Sequence, residues 1–132
     1  MYGDDRDYFD PSSISDWFWG VIFKANKNEE LLRTLLLGLT IEEIYQFQEE
    51  FLLACNSLKG DIFLEYINDD ESEDGIADIT RWVVSQGKDY YMSVWENPEK
   101  IPSESDSSTP GILYGIAREV YEEKGGKGLF PY

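Results

Sequence analysis

Apolar residues recur at three- and four-residue intervals through most of the chain, the spacing that lines up one face of a helix. The densest such pattern runs from Ser72 to Pro98. Ser72 is placed to cap a helix whose opening carries Glu73, Asp74 and Asp78, negative charge beside free N–H groups. Ile76, Ile79, Trp82 and Val83 share its apolar face. Gly87 ends it, because glycine takes the left-handed conformation without strain. A second helix carries Tyr90, Tyr91, Val94 and Trp95, and Pro98 prevents its continuation. The pair reads as a core hairpin.

The same period predicts further helices on both sides. Pro11 and the serines at 12, 13 and 15 mark a helix start. Asp16 then leads into Trp17, Phe18, Trp19, Val21, Ile22 and Phe23, apolar on nearly all sides and therefore expected to be central. Asn26 to Asn28 form a turn, and Asn28 caps a helix with Leu31, Leu32, Leu35, Leu36 and Leu39. Thr40-Ile-Glu-Glu43 is a capping box. It opens the clearest amphipathic segment, with Ile41, Ile44, Phe47, Phe51, Leu52, Cys55 and Leu58 on one stripe, closed by Gly60. Asp61 to Ile67 fits a short helix or a strand, and the absence of a partner strand favours helix. Thr109 followed by Pro110 fits an N-cap with proline at the first helical position. Ile112, Leu113, Ile116, Ala117, Val120 and Tyr121 then make a last helix, stopped by Gly125 and Gly126.

The expectation is an all-α fold: a compact bundle of about six or seven helices forming one domain over 12–124. An acidic N-terminal arm, 1–11, precedes it. A glycine-rich C-terminal tail, 125–132, follows, and its Leu129 and Phe130 either dock or stay free. At 132 residues the chain can bury a proper core without metals or disulfides. Its 42% hydrophobic and 15% aromatic content argues against disorder despite the charge. The single cysteine, Cys55, lies on an apolar stripe and reads as a small buried hydrophobe. The lack of a disulfide framework and of an N-terminal hydrophobic signal points to a reducing, cytoplasmic setting. No apolar run is long enough to cross a bilayer.

Charge changes the picture most. Eleven Lys+Arg against 27 Asp+Glu give a formal net charge of −16 and a pI near 4.1. Such a field repels nucleic acid and anionic membrane and attracts basic partners. Histidine is absent, which removes the commonest general base and excludes serine–histidine and cysteine–histidine catalysis. From Asp61 to Asp78 the chain holds eight acidic side chains and no basic one. An EF-hand loop starting at Asp69 or Asp70 would put Thr80 or Arg81 where the bidentate glutamate belongs, so that motif fails. With 27 acids, close carboxylate pairs arise by chance and do not indicate glycoside hydrolysis. Asp78 and Arg81 fit an i,i+3 ion pair. Gly125 to Gly128 follows a helix instead of opening one and is no phosphate loop. Trp17, Trp19, Trp82 and Trp95 fall at core-like spacing, although Trp17 and Trp19 point to different sides, so that one can border a groove.

The segment Asp74-Gly-Ile-Ala-Asp-Ile-Thr-Arg-Trp82-Val-Val-Ser-Gln-Gly87, followed by a helix and Asn97-Pro98, resembles a bacterial family of uncharacterised domains, the domain of unknown function numbered four-two-four-zero. Asp16 to Trp19, the stretch from Thr40 through Phe47 and Gln48 to Phe51, and Ala117 to Lys124 share in the resemblance. Together these cover most of 13–124. The resemblance implies one helical domain of bacterial or phage origin and brings no activity or catalytic residue with it.

A non-enzymatic, protein-binding role follows as the functional expectation: an immunity-protein-like inhibitor of a basic partner such as a nuclease toxin, without cofactor or metal. The candidate contact residues are Asp69, Asp70, Glu71, Glu73 and Asp74, supported by Asp4, Asp5 and Asp7. For each, a merely solubilising carboxylate is the plainer reading. A phage-type DNA mimic and a carboxylate- or divalent-metal-dependent enzyme are the alternatives.

Overall fold

Seven α-helices and no strand make up the described residues, 9–105, 112–128 and 130–131, of the computed structural model. They are α1 (Asp16–Ala25), α2 (Glu29–Leu37), α3 (Ile41–Asn56), α4 (Asp61–Leu64), α5 (Glu73–Ser85), α6 (Lys88–Glu96) and α7 (Ile116–Glu123). Local chemistry starts four of them. Ser15, Asn28, Thr40 and Ser72 each accept an N–H from the first turn of α1, α2, α3 and α5. Glu43 returns the favour to the Thr40 N–H at 2.9 Å, completing the capping box. Gly87, at φ +108°, closes α5 and opens α6. Asp61–Leu64 is helical, not a strand.

The start of the last helix differs from expectation. Ile112 and Leu113 precede α7 in non-helical chain, and Gly115, at φ +98°, stands at its N-cap. That left-handed residue breaks the helical path. The Leu113 N–H instead donates to the Ser85 hydroxyl at 2.9 Å, and Ser85 donates in turn to the Arg81 carbonyl at 2.8 Å. Leu113 is buried all the same. The Thr109–Pro110 cap lies outside the described residues.

α3 is the central element and packs against α1, α5 and α7. Phe18 of α1 meets Phe47 and Phe51 of α3, with ring centroids 4.9 and 5.9 Å apart. α1 is not central all round: Phe23 is 83% exposed. A carboxylate joins the two helices. Glu50 is buried, and it accepts the Ser15 N–H at 2.7 Å and the Ser15 hydroxyl at 3.0 Å. α2 is clamped to α7 by Arg33, which pairs with Glu119 and Glu123. Lys124 donates to the Leu37 and Leu39 carbonyls at 2.8 and 2.7 Å, satisfying open acceptors at the negative end of α2. Cys55 is buried, and burial pushes its thiol up to about 12, so it stays protonated. Among the described residues no helix is long and apolar enough to cross a membrane.

On both flanks of the bundle a described phenylalanine touches it. Phe9 packs edge-on against Trp95 at 5.5 Å. After α7, Phe130 is buried against Tyr121 and so docks, while Leu129 lies outside the described residues.

Candidate functional site

The acidic stretch between α4 and α5 is a braced turn. The Asn68 N–H donates to the Ser103 carbonyl at 2.9 Å, and the Glu71 N–H to the Asn68 carbonyl at 3.0 Å. The Asn68 amide donates to Glu104 at 2.7 Å. Glu71 turns its carboxylate inward, where it accepts the Ser105 N–H at 2.9 Å and the Ser105 hydroxyl at 3.2 Å. The carboxylate covers the first turn of α5 at Gly75, where any Cβ would overlap it. A side chain at position 75 would displace that carboxylate end.

This bracing divides the predicted contact residues. Asp69, Asp70, Glu73 and Asp74 are exposed together on the turn and the first turn of α5. Glu71 is engaged inside the turn and positions the others. Asp4, Asp5 and Asp7 lie outside the described residues. Tyr66, three residues before Asp69 in the chain, is 42% exposed. The next acid along α5, Asp78, pairs with Arg81 at 3.3 Å, and that guanidinium also lies 3.9 Å above the Tyr114 ring. That cation is thus already partnered.

The arrangement does not build a metal site. Among the described residues no group of three or more Cys, Asp or Glu side chains is placed to hold an ion. The physical reason is visible in the chain path. α5 begins at Glu73, so the second half of a would-be EF-hand loop is helix and cannot wrap a cation.

Two further surface features lie away from the acidic turn. A cleft of about 310 Å³ lies between α1 and the α5–α6 junction, lined by Trp19, Phe23, Lys27, Gln86 and Lys88. Of the Trp17 and Trp19 pair, Trp19 is the one that borders it. Lys88 at its edge pairs with Asp16 at 3.3 Å. The second feature is the groove between α3 and α7 that receives Phe130, walled by Tyr45, Gln48 and Tyr121. A glutamine beside Phe47 on the apolar stripe of α3 was its one sequence signal.

No curated protein and no solved structure matches the chain. A family model described as a protein of unknown function, DUF4240, matches residues 14–123. That stretch contains all seven helices, the Ser15 and Ser72 caps and the braced acidic turn. The chain belongs to the DUF4240 family.

Proposed function

We propose that this chain is a non-enzymatic inhibitor, acting in the cytoplasm like an immunity protein, which neutralises a basic protein partner such as a nuclease toxin by covering its active site. One observation carries the reading: Asp69, Asp70, Glu73 and Asp74 are exposed together on a turn whose backbone is already held by Asn68 and Glu71. A turn ordered before contact loses little conformational entropy on binding. Four carboxylates stand in for the phosphates that a nuclease site accepts, and the net charge of −16 draws a cationic partner in. Tyr66 provides the kind of aromatic anchor that interfaces place within a charged rim.

The test is capture of partners from bacterial lysate at low and high salt, followed by an activity assay on what is captured. The expected result is a cationic enzyme that is released as salt screens the field and is inhibited by the pure chain. The quadruple variant Asp69→Asn, Asp70→Asn, Glu73→Gln, Asp74→Gln should lower the association rate about tenfold at low salt. Retention of full inhibition by that variant would overturn the assignment of the turn. Capture of a DNA-binding defence protein without enzymatic inhibition would favour a DNA mimic instead.

A further inference from the structure

The segment after α7 is held in the manner of a bound peptide. α7 ends in a Schellman closure: the Gly125 N–H donates to the Glu122 carbonyl at 3.0 Å and the Gly126 N–H to the Tyr121 carbonyl at 2.9 Å. A Cβ at Gly126 would lie 2.5 Å from the Tyr121 ring, so the chain passes tight against the groove wall there. Phe130, 8% exposed, then enters the groove, with its ring centroid 4.6 Å from that of Tyr121 and 5.9 Å from that of Tyr45. Side chains of the bundle hold the main chain of the segment on either side of that ring. The Tyr121 hydroxyl donates to the Lys127 carbonyl at 3.0 Å, and the Gln48 amide donates to the Pro131 carbonyl at 3.0 Å.

Gln48 is the informative residue. It is 2% exposed, and the acceptor of its amide belongs to the docked segment. A buried amide without an acceptor is costly, so this groove suits an occupant that brings a carbonyl. The recognition elements are one apolar socket and two donors aimed at main-chain carbonyls, the chemistry of peptide capture in a groove. The walls Tyr45, Gln48 and Tyr121 fall within the family match at 14–123, and the segment that fills the groove falls after it.

We infer that the α3–α7 groove is a docking site for a peptide presenting an aromatic residue followed by proline, and that the Phe130–Pro131 step of this chain occupies it in cis as a competitor. This inference is independent of the acidic turn. A partner carrying the same aromatic–proline step must displace the segment, so the cis contact sets the threshold for docking.

The probe is a fluorescein-labelled, N-acylated peptide with the sequence of residues 128–132, whose acyl carbonyl stands in for that of Lys127. Full-length Phe130→Ala should bind it at least tenfold more tightly than wild type. Adding Gln48→Ala should lower that affinity at least fivefold, and replacing the phenylalanine of the peptide by alanine should abolish binding. Equal binding to wild type and to a Phe130→Ala chain that keeps its helical circular dichroism would overturn the inference. Should that variant fail to fold, wild type still decides the matter. Excess unlabelled peptide must accelerate tryptic cleavage after Lys127, and an unchanged rate rejects the groove as a docking site. A concentration-dependent wild-type dimer abolished by Phe130→Ala would replace cis competition with exchange of the segment between copies.

Discussion

The turn at 68–72, which leads into α5, and the described residues of 126–131, which follow α7, both lie at helix ends, yet they are held in opposite ways. In the turn, the loop's own side chains, Asn68 and Glu71, bind main-chain and side-chain groups of 103–105, and the remaining carboxylates face water. In the other segment, side chains of the bundle bind the loop's backbone, and its phenylalanine, Phe130, goes inward. Electrostatics accounts for the first arrangement. Five neighbouring carboxylates repel one another least in high dielectric, and only the one with two donors waiting, Glu71, is turned in. Burial of an aromatic ring accounts for the second. A loop that holds itself presents its side chains to others, whereas a loop that is held by the body behaves as an occupant.

The core beneath both stretches carries the largest expected effect. Burial pushes the Cys55 thiol and the Tyr91 phenol each up to about 12, and Tyr91 also shares a hydrogen bond with Ser57. The unfolded chain ionises a thiol near about 8.5 and a phenol near about 10. Above those values the unfolded chain binds fewer protons than the native one, so stability falls as pH rises. The loss should approach about 1.4 kcal/mol per pH unit for each group up to about pH 12, read as a falling urea midpoint between pH 8 and 11. Both loops should be lost together with the core in that transition.

Phe130→Ala separates them. Removing a buried phenylalanine ring costs about 3 kcal/mol, at the low end of its class because the site lies at the edge of the bundle. Hydrogen exchange should rise in 126–131 and stay unchanged at 68–74. Glu71→Ala should do the reverse at a cost of about 2 kcal/mol, because it leaves the Ser105 N–H without its acceptor and frees the acidic turn. Proteolysis between residues 68 and 75 reports that change. Asp69→Asn with Asp70→Asn should have the smallest effect on folding, within about 0.5 kcal/mol by thermal denaturation, since both side chains are exposed. A loss near that of Glu71→Ala would show that these aspartates also brace the turn.

Much of the fold was legible because it depends on near neighbours. The caps at Ser15, Asn28, Thr40 and Ser72, the box with Glu43 and the stop at Gly87 each join residues a few positions apart. Periodicity failed before α7 for an identifiable reason. Ile112 and Leu113 continue the apolar spacing of that helix, yet the Leu113 N–H goes to Ser85, 28 residues away. The candidate site was half legible. Counting acids located the turn, but the count could not separate Glu71 from Asp69, Asp70, Glu73 and Asp74, because the separating partner is Ser105, 34 residues on.

Helix content, the caps, the burial of Cys55 and the acidic field thus follow from spacing and composition along the chain, since each is a local or summed property. Which carboxylate turns inward and what satisfies Gln48 depend on contacts across 34 and 83 residues, and Phe130 docks against Tyr45 from the far end of the chain. Such contacts form only once the helices pack, because hydrogen bonding and burial act through space and leave no periodic trace in the order of residues.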